Sequence, residues 1–377
     1  NNKKLYLPQI IFDLSTVQFI PTELNFSIEK ATYTWQTPSN IALIKYWGKS
    51  DPQIPKNASI SFTLNNCHTI TSIDFVKRVA LSAGEGSQIN FELFFEGQKK
   101  EAFKPKIAQF FERIQEYCPY IFKYDMVINS ENSFPHSSGI ASSASGLSAI
   151  AMCLLNLEKE LNPSLTEKYI NQKASFLARL GSGSASRSVE GPLVVWGNHP
   201  EIEGSSDLFG VKFPYKVHSV FDNYQDAILL VDKEEKQVSS TVGHNLMHRH
   251  PYAEQRFLQA NENLSQLSEI LQNGDIDKFI NIVESEALTL HAMMLTSNPY
   301  FILMKPNTLE IINAIWKFRE ETGNKICFTL DAGANVHVLY PEKEKEKVNK
   351  FIVEALAHYC QKNQYIFDII GFGAKKL

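Results

Sequence analysis

Small residues dominate a stretch that could form a phosphate cradle, residues 132–146 (Asn-Ser-Phe-Pro-His-Ser-Ser-Gly-Ile-Ala-Ser-Ser-Ala-Ser-Gly). Such side chains let a polyanion reach the backbone, and the helix predicted over residues 147–161 would direct its unpaired N–H groups at it. Gly139 permits the positive φ of an anion nest. Hydroxyls that could donate to phosphate or bind magnesium are Ser137, Ser138, Ser142 and Ser143. A ligand-free helix start uses similar residues, but the ordered Pro-x-x-x-Gly-Ile-x-Ser-Ser-Ala pattern favours a phosphate site.

Two lysines lie close together near the start of the chain, in the segment Ile41-Ala-Leu-Ile-Lys-Tyr-Trp-Gly-Lys49. We predict a short helix here, beginning at Ile41 and capped by Ser39 and Asn40. The spacing of four would then place Lys45 and Lys49 on one helical face. That face could hold a diphosphate or neutralise a carboxylate. An exposed lysine pair beside a core tryptophan is the alternative.

Arg187 lies in a second loop of small residues, Gly181-Ser-Gly-Ser-Ala-Ser-Arg-Ser188. A guanidinium presented among such residues suits bidentate capture of a carboxylate or a phosphate. A flexible linker is the alternative, although a strong strand predicted over residues 193–196 follows directly. Three hydroxyls further on suit either anion contacts at a helix start or a plain capping turn: Ser239, Ser240 and Thr241.

Asp331 ends an apolar strand predicted over residues 326–330 and is followed by Ala-Gly-Ala-Asn335. The small neighbours would let a ligand approach the carboxylate, although a hairpin turn of the Asp/Gly type has the same letters. His291, at the end of a predicted helix, could act as a ligand or a base. Beside Leu290 and Met293 it is more typical of a packed core residue, and we assign it no role.

The elements that must position these residues follow from apolar periodicity. Strands are predicted over residues 33–38, 57–64, 69–75, 89–95, 124–129, 193–196, 227–231, 326–330, 336–340 and 365–372. Helices are predicted over residues 102–116, 147–161, 166–180, 253–271, 275–291, 309–318 and 342–360. The segments 57–64 and 69–75 are interpreted as a hairpin. Helices on one face of a mixed antiparallel sheet predict the α+β class for both halves.

The chain of 377 residues, with 44% hydrophobic and 21% charged residues, is long enough for two domains. We predict a leader over residues 1–26, an N-terminal domain over 27–220 and a C-terminal domain over 221–377. The net charge of −4 argues against nucleic acid or an anionic membrane as a partner. The five cysteines are scattered without metal or disulfide spacing, and no apolar run reaches the roughly 18 residues that span a bilayer. We therefore expect a cytoplasmic protein.

Five segments together resemble the diphosphomevalonate decarboxylase family of the GHMP superfamily. They are Pro38-x-Asn-Ile-Ala-x-x-Lys-Tyr-Trp-Gly-Lys49, Asn132-x-Phe-Pro-x-x-x-Gly-Ile-Ala-Ser-Ser-Ala144, Gly181-Ser-Gly-Ser-Ala-Ser-Arg187, Ser239-Ser-Thr241 and Asp331-Ala-Gly-x-Asn335. The Lys-Tyr-Trp-Gly-Lys part distinguishes this family from the related kinases. Pro192 in place of a second glycine and Ala334 in place of a proline depart from the family pattern, which bears on loop geometry more than on reactive groups.

The resemblance implies a two-domain GHMP kinase-like fold, with an N-terminal α+β domain, a ferredoxin-like C-terminal domain and the site in the cleft between them. It also implies a reaction. The tertiary 3-hydroxyl of 5-diphosphomevalonate is phosphorylated by ATP with Mg²⁺, and phosphate and carbon dioxide then leave to give isopentenyl diphosphate in the mevalonate pathway of isoprenoid biosynthesis.

The same resemblance implies roles for individual residues. Asp331 would act as general base on the 3-hydroxyl, and Lys45 would keep that carboxylate ionised. Arg187, positioned by Asn40, would hold the substrate carboxylate. Further substrate contacts would come from Tyr46, Trp47, Gly48, Lys49, Ser182, Gly183, Ser184, Ala185, Ser186, Ser239, Ser240 and Thr241. The ATP phosphates would lie against Ser137, Ser138, Gly139, Ala141, Ser142, Ser143 and Ala144, while the sequence does not identify the magnesium ligands.

Three alternatives remain open from the sequence. A mevalonate 5-phosphate decarboxylase would need the same Asp331, Lys45 and Arg187 but fewer contacts to the phosphate tail. A GHMP small-molecule kinase without decarboxylation would not need the substrate carboxylate held. A ligand-sensing regulator on this scaffold would bind ATP without releasing ADP. We expect a homodimer whose partners are the substrate and ATP, with no nucleic acid and no membrane.

Overall fold

The computed structural model describes residues 16–79, 88–135, 140, 142–232 and 240–377. A large sheet organises the first half of the chain, and one strand from the C-terminus, β14 (Lys375–Lys376), joins it. The order is β14-β1-β4-β7-β5-β6, with β8 paired to β4 and β9 paired to β8. The strands of this half are β1 (Lys30–Ile44), β2 (Lys49–Ser50), β3 (Ile54–Pro55), β4 (Ser59–Lys77), β5 (Asn90–Phe95), β6 (Gln98–Lys99), β7 (Tyr124–Asn132), β8 (Leu193–Trp196) and β9 (Val211–Lys212). The pairing of β5 with β7 is parallel, and the other pairings are antiparallel.

Three helices pack on one face of this sheet: α1 (Lys104–Ile114), α2 (Ser142–Leu161) and α3 (Glu167–Gly181). Helix α2 is apolar on nearly every side because it lies between the sheet and α3, and most of its residues are buried. The second half of β4 alternates between buried and partly exposed residues, as a strand with one covered face must. Its first half is buried throughout, because the second domain covers the other face.

The C-terminal half forms a second antiparallel sheet in the order β11-β12-β10-β13. Its elements are β10 (Gln225–Leu229), α4 (Ser240–Asn245), α5 (Ala253–Asn273), α6 (Ile276–Leu295), α7 (Pro306–Thr322), β11 (Cys327–Thr329), β12 (Val336–Tyr340), α8 (Lys345–Phe351) and β13 (Tyr365–Ile369). The final strand, β14 (Lys375–Lys376), returns to the first sheet and pairs with β1. The predicted α+β class is confirmed. No helix in the described ranges has both the length and the apolar character to cross a membrane.

The predicted helix at Ile41 is wrong, because β1 continues to Ile44. Lys45 and Lys49 therefore do not share a helical face. The last eight residues of β1 are all buried, since the strand is covered on both sides where the domains meet. A strand buried on both faces loses its alternation, so its apolar run cannot be distinguished from a helix by periodicity.

The predicted hairpin of residues 57–64 and 69–75 is also wrong, because both segments belong to β4. The register between β1 and β4 shifts after Pro38, so the turn-like residues between the segments form a bulge within the strand. The carboxylate of Asp368 fixes this bulge. It accepts the backbone N–H groups of Asn65, Asn66 and Cys67 at 2.7–3.0 Å.

The predicted helix over residues 342–360 is confirmed in position but not in regularity. Its winding changes from a 3₁₀ turn to α8, then to a π-helical stretch at Ile352–Leu356, then to 3₁₀ again. Two helices, α5 and α6, pack together and against β4, so the core between the domains is continuous. The candidate site lies where the two halves meet, between the end of β1 and the loop after β11.

Candidate active site

The side chains of Lys45 and Asp331, which are far apart in sequence, form an ion pair in the cleft. Lys45 directly follows β1, and Asp331 lies in the loop between β11 and β12. Nζ of Lys45 donates to Oδ1 of Asp331 at 3.0 Å. The lysine is 2% exposed and the aspartate 34% exposed, so a buried cation supports a carboxylate that a ligand can reach. Burial lowers the pKa of Lys45 from its ordinary value, and the Asp331 carboxylate opposes that shift.

A second buried ion pair, which the sequence did not point to, fixes the backbone of Lys45. Glu286 on α6 accepts the backbone N–H of Lys45 at 2.8 Å. It also accepts both terminal guanidinium nitrogens of Arg256 on α5, at 2.5 and 2.9 Å. Nη2 of Arg256 lies 3.3 Å from the carbonyl oxygen of Lys45. Only long-range packing brings these residues together, so no local pattern identifies them.

His291 occupies the supporting layer behind Asp331. The imidazole is 2% exposed, and its Nε2 lies 3.1 Å from the backbone carbonyl oxygen of Asp331. The sequence interpretation of His291 as a packed core residue agrees with its burial. The contact to Asp331 adds a positioning role for the loop that carries the carboxylate.

Arg187 lies on a 3₁₀ turn, Gly183–Ser188, and is 3% exposed. Its Nη1 donates to Oγ of Ser59 at 2.6 Å, and its Cζ lies 5.7 Å from the ring centroid of Trp196. Burial lowers the pKa of Arg187 to about 10, with the Asp331 carboxylate opposing the shift, so the group remains a cation at neutral pH. Its Nε has no hydrogen-bond partner among the described residues. A buried cation with an unsatisfied donor is prepared for an anionic ligand.

Asn40 stabilises the turn that carries Arg187. Its Nδ2 donates to the carbonyl oxygen of Ser184 at 3.1 Å and to Oγ of Ser188 at 2.8 Å. The predicted link between Asn40 and Arg187 is therefore made through the turn. Within it, Gly183 leaves no room for a side chain, because an added Cβ would lie 2.6 Å from the Trp196 ring.

The other predicted substrate contacts in this turn differ in burial. The hydroxyls of Ser182 and Ser184 are half-buried and could meet a ligand. Ala185 is buried, and Oγ of Ser186 donates to the carbonyl oxygen of Gly183 at 2.8 Å. Ala185 and Ser186 therefore shape the turn from within.

The residues from Lys45 to Gly48 form a loop rather than the predicted helix, and Lys49 begins β2. Gly48 adopts a φ of +105°, and a Cβ there would lie 2.8 Å from the Phe257 ring, so glycine is required. Tyr46 packs edge-on against Trp196 with ring centroids 4.6 Å apart, and burial raises its pKa. Trp47 is buried in an apolar cluster, which makes it a core residue of the site.

Lys49 is 9% exposed, and its Nζ donates to Oε1 of Gln53 at 2.9 Å. Burial lowers its pKa, and the nearby guanidinium of Arg113 adds to the shift. His244 on α4, which the sequence did not single out, packs against Tyr46 and accepts the N–H of Gly48 at Nδ1. The loop and the start of β2 therefore carry one phenol and one ammonium group, with an imidazole behind them.

The nucleotide end of the site is only partly described. Four predicted phosphate contacts and one predicted substrate contact lie outside the described residues: Ser137, Ser138, Gly139, Ala141 and Ser239. Helix α2 begins at Ser142, and Oγ of Ser143 accepts from Nζ of Lys106 at 2.6 Å, while Ala144 is buried. Ser240 and Thr241 open α4.

The groups available to bind magnesium at this end of the site are hydroxyls rather than a cluster of carboxylates. In the described part of the chain, no group of three or more His, Cys, Asp or Glu side chains could hold a metal ion. Half-buried hydroxyls at the start of α2, Ser142 and Ser143, are the donors at this end of the cleft. Such a set fits Mg²⁺, which commonly keeps water and substrate phosphate oxygens as its main ligands.

Comparisons with known proteins agree with this geometry. The family model described as "Diphosphomevalonate decarboxylase-like N-terminal domain" matches residues 37–207, and "Mevalonate 5-diphosphate decarboxylase C-terminal domain" matches residues 227–371. The diphosphomevalonate decarboxylase of Ganoderma lucidum is 30% identical over 362 residues, covering 90% of this chain and 85% of that protein.

Solved structures give the same result. Mevalonate diphosphate decarboxylase from Staphylococcus aureus superposes with a TM-score of 0.77 at 27% identity, covering 92% of this chain and 98% of that one. A structure of MDDEF in complex with MVAPP, AMPPCP and magnesium also has a TM-score of 0.77 at 27% identity, covering 92% and 99%. The predicted two-domain GHMP kinase-like fold is confirmed. This chain belongs to the diphosphomevalonate decarboxylase family.

Proposed function

We propose that this chain catalyses the ATP-dependent decarboxylation of 5-diphosphomevalonate to isopentenyl diphosphate, ADP, phosphate and carbon dioxide. The observation that carries the proposal is the buried guanidinium of Arg187, whose Nε has no partner among the described residues. This guanidinium lies close enough to the Lys45–Asp331 pair to interact with Asp331 electrostatically. Burying an incompletely paired cation is costly, so the site is built for a ligand that supplies an anion. A substrate that carries both a carboxylate and a hydroxyl satisfies both groups.

Asp331 is assigned to the 3-hydroxyl. A tertiary alcohol is far too weak an acid for a carboxylate to deprotonate in the ground state, so the proton moves late, as the loose transition state of phosphoryl transfer forms. Orientation of the hydroxyl towards the γ-phosphate is then as important as basicity. The contacts of His291 and Lys45 with Asp331 support this assignment, because they fix the backbone and one carboxylate oxygen.

Lys45 keeps the Asp331 carboxylate ionised and offsets negative charge on the transferring phosphoryl group. The backbone contacts from Glu286 and Arg256 hold Lys45 in place for this task. A magnesium ion held with ATP at the start of α2 would supply further charge neutralisation. Ser142 and Ser143 are the described hydroxyls that would bind it.

Arg187 holds the substrate carboxylate until the second half of the reaction. The C3–O bond breaks and its electron pair leaves with phosphate. The bond between C2 and the carboxylate carbon then breaks, and its electrons form the C2–C3 double bond as carbon dioxide departs. The guanidinium orients the carboxylate so that the breaking C–C bond lies parallel to the empty orbital on C3.

The phosphate tail is assigned to Tyr46 and Lys49, with the half-buried Ser182 and Ser184 as further hydroxyl donors. Ser240 and Thr241 remain candidate contacts from the sequence motif. The phenol of Tyr46, the ammonium group of Lys49 and the hydroxyls of Ser182 and Ser184 offer enough donors for two phosphate groups, which favours a diphosphate over a monophosphate. A kinase without decarboxylation is disfavoured, because phosphoryl transfer alone gives Arg187 no carboxylate to bind.

A substrate panel tests the proposal. Purified protein with ATP and magnesium is offered mevalonate, its 5-phosphate or its 5-diphosphate, and ADP and carbon dioxide are both measured. We expect both products from the 5-diphosphate, with much lower kcat/KM for the other two compounds. Higher kcat/KM with the 5-phosphate would identify a monophosphate decarboxylase, and ADP without carbon dioxide would identify a kinase.

The domain bounds, the cellular location and the oligomeric state are also proposals. The break between the two family matches supports the proposed domain bounds 27–220 and 221–377. Within the predicted leader 1–26, Phe19 packs against Phe176 in the core of the N-terminal domain. A cytoplasmic location is supported by the cysteines, all five of which are buried free thiols. The homodimer is a prediction that light scattering at several protein concentrations would test.

A further inference from the structure

His244 lies on α4 directly against the loop that follows β1. Its Nδ1 accepts the backbone N–H of Gly48 at 2.9 Å. Its ring centroid is 4.3 Å from that of Tyr46 and 4.6 Å from that of Trp47. The side chain is only 7% exposed, so the protein determines the orientation of the imidazole.

The contact with Gly48 fixes which nitrogen carries the proton. A backbone N–H can only donate, so Nδ1 of His244 must offer a lone pair and Nε2 must carry the hydrogen. Burial, together with the positive charge of Lys49, lowers the pKa of His244 to about 3, which keeps the ring neutral. The Nε2–H is thus a fixed donor, and it has no acceptor in the part of the chain that the structure describes.

The position of this donor relates it to the rest of the site. The ring of Tyr46 packs between the rings of His244 and Trp196. The guanidinium of Arg187 lies over the Trp196 ring. His244 is therefore at the opposite end of a continuous row of rings from Arg187. A substrate held at Arg187 by its carboxylate would extend its phosphate tail towards His244 and Lys49.

We propose that the Nε2–H of His244 donates a hydrogen bond to a phosphate oxygen of the substrate tail, which makes His244 a further specificity-determining residue. The inference rests on the proposed function. Beside the ammonium of Lys49, a neutral imidazole adds a contact with a fixed direction and no extra charge. An N–H of fixed orientation without an acceptor from the described residues is available to a ligand, and a phosphate oxygen is an acceptor for it.

Two substitutions test the roles of the two ring nitrogens of His244 separately. The amide of His244→Asn can accept from Gly48 at the Nδ1 position but lacks the outer donor. The longer amide of His244→Gln can donate at the Nε2 position but loses the acceptor for Gly48. We expect KM for 5-diphosphomevalonate to rise about tenfold to a hundredfold in His244→Asn, as loss of a hydrogen bond to a charged group implies, and much less in His244→Gln. The change should fall mainly on KM rather than on kcat.

His250→Asn is the matched control. His250 is also 7% exposed and lies near His244 in sequence, but both of its ring nitrogens have protein partners. It should lose thermal stability with a smaller change in KM. Melting curves and KM for ATP show that each variant is folded.

A larger KM in His244→Gln than in His244→Asn would assign His244 to the Gly48 turn alone and overturn the inference. Equal KM values in the two variants would overturn it as well. Failure of the wild-type chain to use 5-diphosphomevalonate would instead reject the proposed function. Inhibition by inorganic pyrophosphate provides an independent readout, because His244→Asn should raise its inhibition constant more than His244→Gln does.

Discussion

Two lysine–carboxylate pairs in this molecule have the same chemistry in opposite settings. Lys173 donates to both oxygens of Glu158, at 2.6 and 2.7 Å, and both side chains are 0% exposed in the core of the N-terminal domain. Lys45 donates to one oxygen of Asp331 at 3.0 Å, and Asp331 is 34% exposed. The first pair is closed to ligands and the second is open on the carboxylate side.

The two pairs differ in whether a ligand can reach the carboxylate. In both pairs burial disfavours the charged form, since the pKa of Glu158 is raised and that of Lys45 is lowered. At Glu158, the pairing with Lys173 opposes that shift within a sealed core. At Asp331, the carboxylate is held from behind while its front faces the cleft that also contains Arg187. Exposure of one partner, rather than the pairing itself, distinguishes the Lys45–Asp331 pair, for which we propose a catalytic role, from the sealed Lys173–Glu158 pair.

Among the substitutions in the two pairs, Asp331→Asn should have the largest effect on catalysis. Loss of the general base is expected to lower kcat by about a thousandfold or more, with substrate binding largely retained because the amide keeps the shape of the side chain. Steady-state kinetics together with equilibrium binding of 5-diphosphomevalonate measure both quantities. Turnover like that of the wild type would remove Asp331 from the reaction.

The substitution Lys173→Met should have its effect on stability. Removing one partner of a buried pair leaves the charge of Glu158 uncompensated, which typically costs about 3–5 kcal/mol. Urea unfolding followed by circular dichroism measures the loss, and kcat per folded molecule should stay close to that of the wild type. A stable variant with impaired kcat would mean that the two pairs do not divide structure and catalysis as described.

The substitution Arg187→Gln should lower kcat/KM by an amount that corresponds to roughly 2–5 kcal/mol, as loss of a buried charge partner does. Arg319→Gln is the control, because Arg319 is bound to Glu284 and to the carbonyl oxygen of Ile326 away from the cleft. It should reduce stability and leave kcat/KM largely intact. Unchanged kcat/KM in Arg187→Gln would exclude this residue from the site.

The pH profile should show a smaller effect of Lys45. Burial lowers its pKa below the ordinary value of 10.5, so the ammonium form is lost as pH rises through that lowered pKa. We expect kcat/KM to fall on the alkaline side at a pH below 10.5. In Lys45→Arg the fall should move to higher pH, because a guanidinium keeps its proton. Superimposable alkaline limbs would show that the charge of Lys45 is not required.

The structure brings together the charged residues that the sequence motifs point to, but it differs from the backbone predicted to carry them. Asp331 and Arg187 were identified because small neighbours mark places where a ligand can approach. Lys45 was identified too, but on a helix that does not exist, because tertiary burial of β1 on both faces removed the alternation that marks a strand.

The missed residues share a physical cause. Glu286, Arg256 and His244 reach the loop after β1 from helices about 200 residues later in the chain, and nothing in their local sequence indicates this contact. The bulge in β4 depends in the same way on Asp368. Local pattern predicts elements and reactive groups, whereas their supports come from packing between domains.

A single site is proposed to couple phosphoryl transfer to decarboxylation. A single-turnover experiment with excess protein, γ-labelled ATP and 5-diphosphomevalonate tests it most directly, with labelled phosphate and carbon dioxide followed over time. We expect inorganic phosphate and carbon dioxide to be released in equal amounts, one of each for every ATP consumed. Accumulation of a stable phosphorylated substrate without carbon dioxide would contradict the account.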